Sequence, residues 1–189
     1  MATDSQPDYP SNYFPTSNPC YAAYSPSFPD PNQITAQSLT INVPLAPDTT
    51  QTAMGLGPVG VAVNGVAIFD NQAAPGDDIF TESASFDECQ GHPAPGGTYH
   101  YHSEPYAISS NDSALIGVLK DGYFVYGRLD ADGSTPTLDA AGGHTGTTPD
   151  SPNTPVYHHH VNLQISTNTG TAGDRVEFIT TGKYAGTPG

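Results

Sequence analysis

Six of the chain's seven histidines fall into two matched sets. The first is Gly91-His92 followed by Tyr99-His100-Tyr101-His102, and the second is Gly143-His144 followed by Tyr157-His158-His159-His160. Imidazole is the commonest neutral ligand for late transition metals, so His92, His100 and His102 form one potential three-imidazole metal site. His144, His158 and His160 form another. A lone His-x-His pair is more often solvated or satisfied within a core than bound to metal. Two copies, each with an upstream Gly-His, argue for chelation, against the competing reading of a buried imidazole network. Histidine-rich, thiolate-poor sites on strands favour copper, with zinc as the alternative. A blue-copper centre would need a cysteine ligand, whereas zinc held by three histidines and a water would be hydrolytic.

Other groups recur around the histidines. Asp87 and Asp139 head the two sets. Each could accept a free imidazole N–H and fix its tautomer, or could cap a turn by bonding backbone amides. Glu88, present only in the first set, is the candidate general base if the site is catalytic. Cys20 and Cys89 are the only cysteines. A disulfide between them would tie the N-terminal arm to the first histidine loop, a closure worth ~4 kcal/mol in the chain-entropy model. The competing reading makes Cys89 a thiolate ligand, but Ala141 stands at the matching place in the second set, which argues for the disulfide. Asp130-Ala-Asp132-Gly133 resembles the start of a calcium loop, but the glutamate that would end such a loop is missing, so it reads as a turn.

Strands must position these side chains. Alternation along an extended strand points His100 and His102 the same way, with Tyr99 and Tyr101 behind them; His158 and His160 pair likewise, and His159 points away. Gly91 and Gly143 are expected to let the preceding loop turn sharply. Upstream of the two sets run Gly60-Val-Ala-Val-Asn64-Gly65-Val-Ala-Ile-Phe69 and Gly117-Val-Leu-Lys-Asp121-Gly122-Tyr-Phe-Val-Tyr126, with glycines in register. Asn-Gly and Asp-Gly between apolar runs predict two-residue hairpin turns with positive φ at both central residues. Each half thus reads as hairpin, turn-rich loop and histidine strand, repeated over about 57–104 and 114–162. Whether six histidines share one cavity or form two sites stays open at this level.

The expected fold is all-β or β-dominated: a single domain of two pseudo-duplicated β units, sandwich or barrel-like, with long ordered loops. Twenty glycines and nineteen prolines favour short strands and loops over helices. Ser113–Val118 is the one stretch that could open with a helical turn. Ser38–Leu45 reads as the first strand and Asp174–Thr181 as the last. Residues 1–32 form an extended arm in which Pro7, Pro10, Pro15, Pro19, Pro26, Pro29 and Pro31 alternate with Tyr9, Tyr13, Phe14, Tyr21, Tyr24 and Phe28. So many aromatics imply that the arm packs, either on the domain formed by 33–189 or on a neighbouring subunit in a homo-oligomer. A formal charge of -15 argues against nucleic acid as a partner and suits an extracellular or saline setting. No apolar stretch reaches the ~18 residues of a membrane span.

Gly-x-Tyr-His-Tyr-His with the preceding Asp-Glu-Cys-x-Gly-His, then Leu115-Ile-Gly-Val-Leu-Lys-Asp-Gly-Tyr-Phe-Val-Tyr-Gly127, resembles the YHYH-domain proteins over roughly residues 55–165. The second motif departs from the pattern, with His159 in place of tyrosine and Asp139-Ala-Ala in place of Asp-Glu-Cys. The resemblance implies a β-rich, usually exported domain, secreted or periplasmic once its signal is removed, with a metal site. It supplies no reaction. Three readings follow: a copper-dependent oxidoreductase, a non-catalytic metal-binding or sequestration module, and a structural or assembly protein whose halves a metal staples together.

Overall fold

Short β-branched and aromatic runs, interrupted by glycine and proline, form fourteen strands in the computed structural model, which describes residues 1–27 and 29–189, and eight of them make the main sheet. Those eight are β1 (Pro58–Ala62), β2 (Ala67–Phe69), β3 (Gly91–Pro93), β4 (Tyr99–Tyr101), β5 (Leu115–Leu119), β6 (Phe124–Tyr126), β7 (Gly143–Thr148) and β8 (Ser151–His160). Phe28, counted above among the aromatics of the arm, lies outside the described residues. The eight strands join in one sheet ordered β7-β8-β6-β5-β1-β2-β4-β3. That order reads as two copies of one four-stranded unit back to back. At the junction β1 and β5 run antiparallel, and Val61 faces Val118, its counterpart in the other unit. The pairing is therefore self-complementary, with a pseudo-twofold axis between those two valines. The protein is β-dominated and its sheet is not closed into a barrel.

Within each unit the pairs β2–β4 and β6–β8 are parallel. Parallel neighbours require a long crossover. These crossovers, from Phe69 to Tyr99 and from Tyr126 to Ser151, carry Glu82 and His92, and Asp130 and His144, back to the histidine strands. The first contains the short helix α1 (Ile79–Glu82), capped by the Asp78 carboxylate accepting from Phe80 N at 3.0 Å, and then a 3-10 turn at Ser83–Ser85. No helix was expected beyond a turn that could open Ser113–Val118. Those residues lead into β5, which is hydrogen-bonded to both β1 and β6, and sheet pairing outweighs local propensity there.

The outer strands are shorter than their sequence runs. Only Leu39–Thr40 of Ser38–Leu45 pairs, with Ala2–Thr3, before Pro44 removes a ladder donor. Arg175–Phe178 pairs with Asn162–Ile165, after which Ile179 N turns away to donate to the His102 carbonyl at 2.9 Å. The hairpin turns also differ from expectation. Only the glycine is left-handed, with φ 87° at both Gly65 and Gly122, while Asn64 and Asp121 keep negative φ. Gly65 N bonds Ala62 O and Ala62 N bonds Val66 O, and Gly122 and Leu119 repeat the pattern. This is a three-residue loop with glycine at the left-handed position, which follows the strand twist with one strained residue rather than two.

Tyr13 and Phe14 of the arm are buried in the main core with Ile34, Ile68, Tyr99, Tyr101, Val125 and Ile179. The arm thus packs on its own chain. The expected disulfide is absent: Cys20 is an exposed free thiol and Cys89 a half-buried one. A hydrogen bond joins the arm to the first histidine loop instead, as Ser11 Oγ donates to Asp87 Oδ2 at 2.6 Å, while Ser11 N donates within the arm to the Cys20 carbonyl at 3.0 Å. Burial, Asp87 and Glu88 push the Cys89 thiol up to about 11, which disfavours a thiolate ligand there. Among the described residues no helix is long and apolar enough to cross a membrane.

Candidate metal centres

Strand β4 buries all three of its residues, Tyr99, His100 and Tyr101. The tyrosines point to the arm side, where Tyr9 Oη lies 2.9 Å from Tyr99 Oη and 2.6 Å from Tyr101 Oη. His100 and His102 point to the other side, with their Nε2 atoms 2.9 Å apart. His92, on neighbouring β3 and directly opposite His100, brings its Nε2 to 3.0 Å from that of His100. Glu82 at the end of α1 completes the group, its Oε1 3.2 Å from His92 Nε2 and 3.9 Å from His102 Nε2. One ligand atom from each of these four residues lies within 4.8 Å of the others.

The same construction recurs at β8. His158 and His160 lie on one side, His144 on β7 pairs with His158, and Asp130 supplies the carboxylate. Asp130 Oδ1 is 3.0 Å from His144 Nε2, 3.7 Å from His158 Nε2 and 3.5 Å from His160 Nε2. The turn read at Asp130-Ala-Asp132-Gly133 does form, closed by Gly133 N on the Asp130 carbonyl at 2.9 Å. Its first carboxylate faces the histidines. The four strands β6, β5, β1 and β2 separate β8 from β4, which at ~4.8 Å per strand puts the groups roughly 24 Å apart across the sheet. The histidines therefore form two groups and share no cavity.

The outward nitrogens define the tautomers. His100 Nδ1 lies 3.0 Å from Thr98 O and His102 Nδ1 2.5 Å from Asp70 O, and a carbonyl oxygen can only accept. His92 Nδ1 lies 2.8 Å from Ser85 Oγ, whose own proton goes to Glu82 O at 2.7 Å, so His92 also donates outward. In a neutral imidazole the other nitrogen then carries a lone pair. All three Nε2 lone pairs of the first group thus converge. In the second group His158 and His160 donate likewise to Val156 O at 2.9 Å and Gly127 O at 2.6 Å. Burial opposes protonation of these rings: it lowers His100 and His158, and takes His102 and His160 down to about 4.

Asp87 and Asp139 act on the turn and not on the imidazoles. Asp87 Oδ1 accepts from Cys89 N at 2.9 Å and Gly91 N at 3.2 Å; Asp139 Oδ1 accepts from Ala141 N at 2.8 Å and Gly143 N at 3.2 Å. Asp87 also accepts from the hydroxyls of Ser11, at 2.6 Å, and Tyr99, at 2.7 Å, and Asp139 from the hydroxyl of Tyr157, at 3.1 Å, and Gln51 Nε2, at 3.4 Å. Gly91 and Gly143 serve a different purpose from the one expected. The left-handed residues are the preceding Gln90 (φ 71°) and Gly142 (φ 79°). A Cβ on Gly91 would lie 2.3 Å from Tyr99 Oη, and one on Gly143 2.5 Å from Tyr157 Oη, so each glycine leaves room for the strand tyrosine. Glu88 is exposed and belongs to neither group. The sequence reading missed Glu82 and the role of Asp130, because the two carboxylates sit at different distances from their histidines and the repeat does not display them.

Residues 40–136, just over half of the chain, match the YHYH protein family. The chain belongs to that family. No curated protein and no solved structure matches it. The YHYH match contains the whole first group, while His144, His158 and His160 lie beyond it.

The structure accounts for the departure from the YHYH pattern at His159. In the first unit Tyr101 Oη pairs with Asn64 Nδ2 at 3.1 Å; in the second, His159 Nε2 pairs with Asp121 Oδ2 at 3.1 Å. Both members changed together between the units, from tyrosine and asparagine to histidine and aspartate. Asp121 is fully buried and also accepts from Ala185 N at 2.9 Å, anchoring the C-terminal segment. Asp121→Ala should therefore destabilise the fold by ~3–5 kcal/mol, since it leaves both His159 Nε2 and the Ala185 amide without a partner. Urea denaturation would measure this, and a loss below 1 kcal/mol would contradict it.

Proposed function

We propose that this YHYH protein binds two transition-metal ions, one at each group, each held by three imidazoles and one carboxylate. Glu82, His92, His100 and His102 would hold the first; Asp130, His144, His158 and His160 would hold the second. The observation that supports this most strongly is the convergence of three Nε2 lone pairs at separations of 2.9 and 3.0 Å. Lone pairs that close repel one another unless a cation lies between them, and burial disfavours a proton in that role. An ion at ~2.0–2.1 Å from each nitrogen sets neighbouring nitrogens roughly 3 Å apart, which fits the donor spacing. The outward Nδ1–H bonds are those that orient metal-bound histidines. Copper is the favoured ion, with zinc the alternative, since imidazole suits both and a carboxylate oxygen is a common zinc ligand. Protein purified without an affinity tag should carry two ions per chain by elemental analysis. A chain that takes up no transition metal, even on reconstitution, would end the proposal.

A second reading, a copper-dependent oxidoreductase, is favoured at the first centre by a cavity of about 200 Å³ bordered by Glu82, His92, His100 and His102. Copper there would supply one-electron chemistry. Azide added to the copper-loaded protein should perturb the metal spectrum; an unresponsive spectrum would leave a sequestration or structural module. The acidic charge supports an exported setting. Self-association through the arm would use Tyr21 and Tyr24, which are exposed.

A further inference from the structure

Besides the exchange of Glu82 for Asp130, the two centres differ at the residue whose carbonyl orients the last histidine. His102 Nδ1 donates to the backbone carbonyl of Asp70, and His160 Nδ1 donates to that of Gly127, the equivalent residue after β6. Glycine thus suffices to orient the histidine, and the Asp70 carboxyl is not needed for that purpose. Yet Asp70 is 1% exposed, and its Oδ2 has no hydrogen-bond partner among the described residues, while Oδ1 accepts only from Gln72 N at 3.3 Å. A buried, unpartnered carboxylate oxygen carries a desolvation cost unless something binds it.

Asp70 lines the cavity of about 200 Å³ at the first centre. The same cavity is bordered by Asp30 and Glu82, and these two also line an adjoining cavity of about 500 Å³ together with Asp77 and Asp78. No lysine or arginine lines either cavity. Phe69, stacked on His100 with ring centroids 3.9 Å apart, lends the smaller cavity an apolar wall together with Leu56 and Pro93.

We propose that the cavity at the first centre binds a small organic amine as its ammonium form, with Asp70 Oδ2 accepting from the N–H and the apolar wall taking the hydrocarbon part. The Asp70 carboxyl reaches the ligand by turning about its last torsion, which is soft for aspartate. The second centre, with Gly127 at this position, has no such acceptor. This deepens the two-centre reading by assigning a ligand class to the first centre, but the cavity and Asp70 are present whatever the metal content.

The test is calorimetric titration of the full chain, as purified and with its metal content measured in parallel, using benzylamine, benzyl alcohol and benzoate. Benzylamine should bind more tightly than benzyl alcohol, and benzoate should not bind. Asp70→Asn, and Asp70→Gly copying Gly127, should each weaken benzylamine about tenfold or more while leaving metal content unchanged, because hydrogen bonds to charged groups are among the strong ones. Unchanged affinity in either folded variant would overturn the proposal. So would tighter binding of benzoate than benzylamine by the wild-type protein, or no benzylamine binding at millimolar concentration; these comparisons need no variant. Amine binding by protein that takes up no metal even on reconstitution would retain the amine site and reject the two-ion reading instead.

Discussion

Replacing His100 and His102 together by alanine should halve the metal content, from two ions per chain to one. Both imidazoles present Nε2 to the same point as His92 and Glu82, and removing two of four donors leaves too few to hold an ion against water. The second centre lies across four intervening strands and should keep its ion. His158→Ala with His160→Ala should give the complementary result. Elemental analysis of the two double variants and of the fourfold variant separates one shared site from two. Loss of both ions in either double variant would show that the centres are coupled, against the two-site geometry. Changing His159 alone should leave metal content intact, because its ring faces Asp121 and Ala141.

Acid should destabilise the metal-free protein through the same imidazoles. Burial, with the neighbouring His92 contributing, brings His102 from its ordinary 6.5 to about 4. Between those values the unfolded chain binds a proton that the folded chain does not, so stability rises with pH and is lost on acidification. The contribution of His102 is complete above about 6.5 and is lost as pH falls to about 4, a difference of roughly 3 kcal/mol. His160 shifts in the same direction. Asp70, raised to about 6 by burial, acts oppositely below that pH, so the cleanest measure is the difference between wild type and His102→Ala in urea stability from pH 7.5 to 4. The variant should show the shallower dependence. Equal slopes would mean that the His102 ring is solvated in the folded chain. In the metal-loaded protein the same window should release the ion, since protons and metal compete for Nε2.

Much of this was legible in the sequence for identifiable reasons. Strand alternation is a property of the extended backbone, so Tyr99-His100-Tyr101-His102 already separates two tyrosines from two imidazoles. The turn glycines Gly65 and Gly122, in register, mark the two units before any packing is known. The disulfide between Cys20 and Cys89 was misread because spacing gives no direction. Ser11 makes the contact to the first histidine loop, and the cysteines remain thiols. Glu88 was the glutamate within the motif and so the one the sequence offered, but a crossover returning to the sheet brings the more distant Glu82 to the histidines.

By itself, the sequence determined a β-rich chain in two repeats, the grouping of the histidines in threes and the pairing of imidazoles along each histidine strand. These follow from local rules: period-two alternation, glycine at left-handed positions and short runs between prolines. The tertiary structure decided what depends on how the repeats meet. The antiparallel junction at Val61 and Val118 places the histidine strands far apart in one sheet and so makes two centres instead of a six-histidine cavity. It also decided which carboxylates join the imidazoles, because Glu82 and Asp130 arrive on crossovers whose paths are set by parallel strand pairing and not by their distance along the chain.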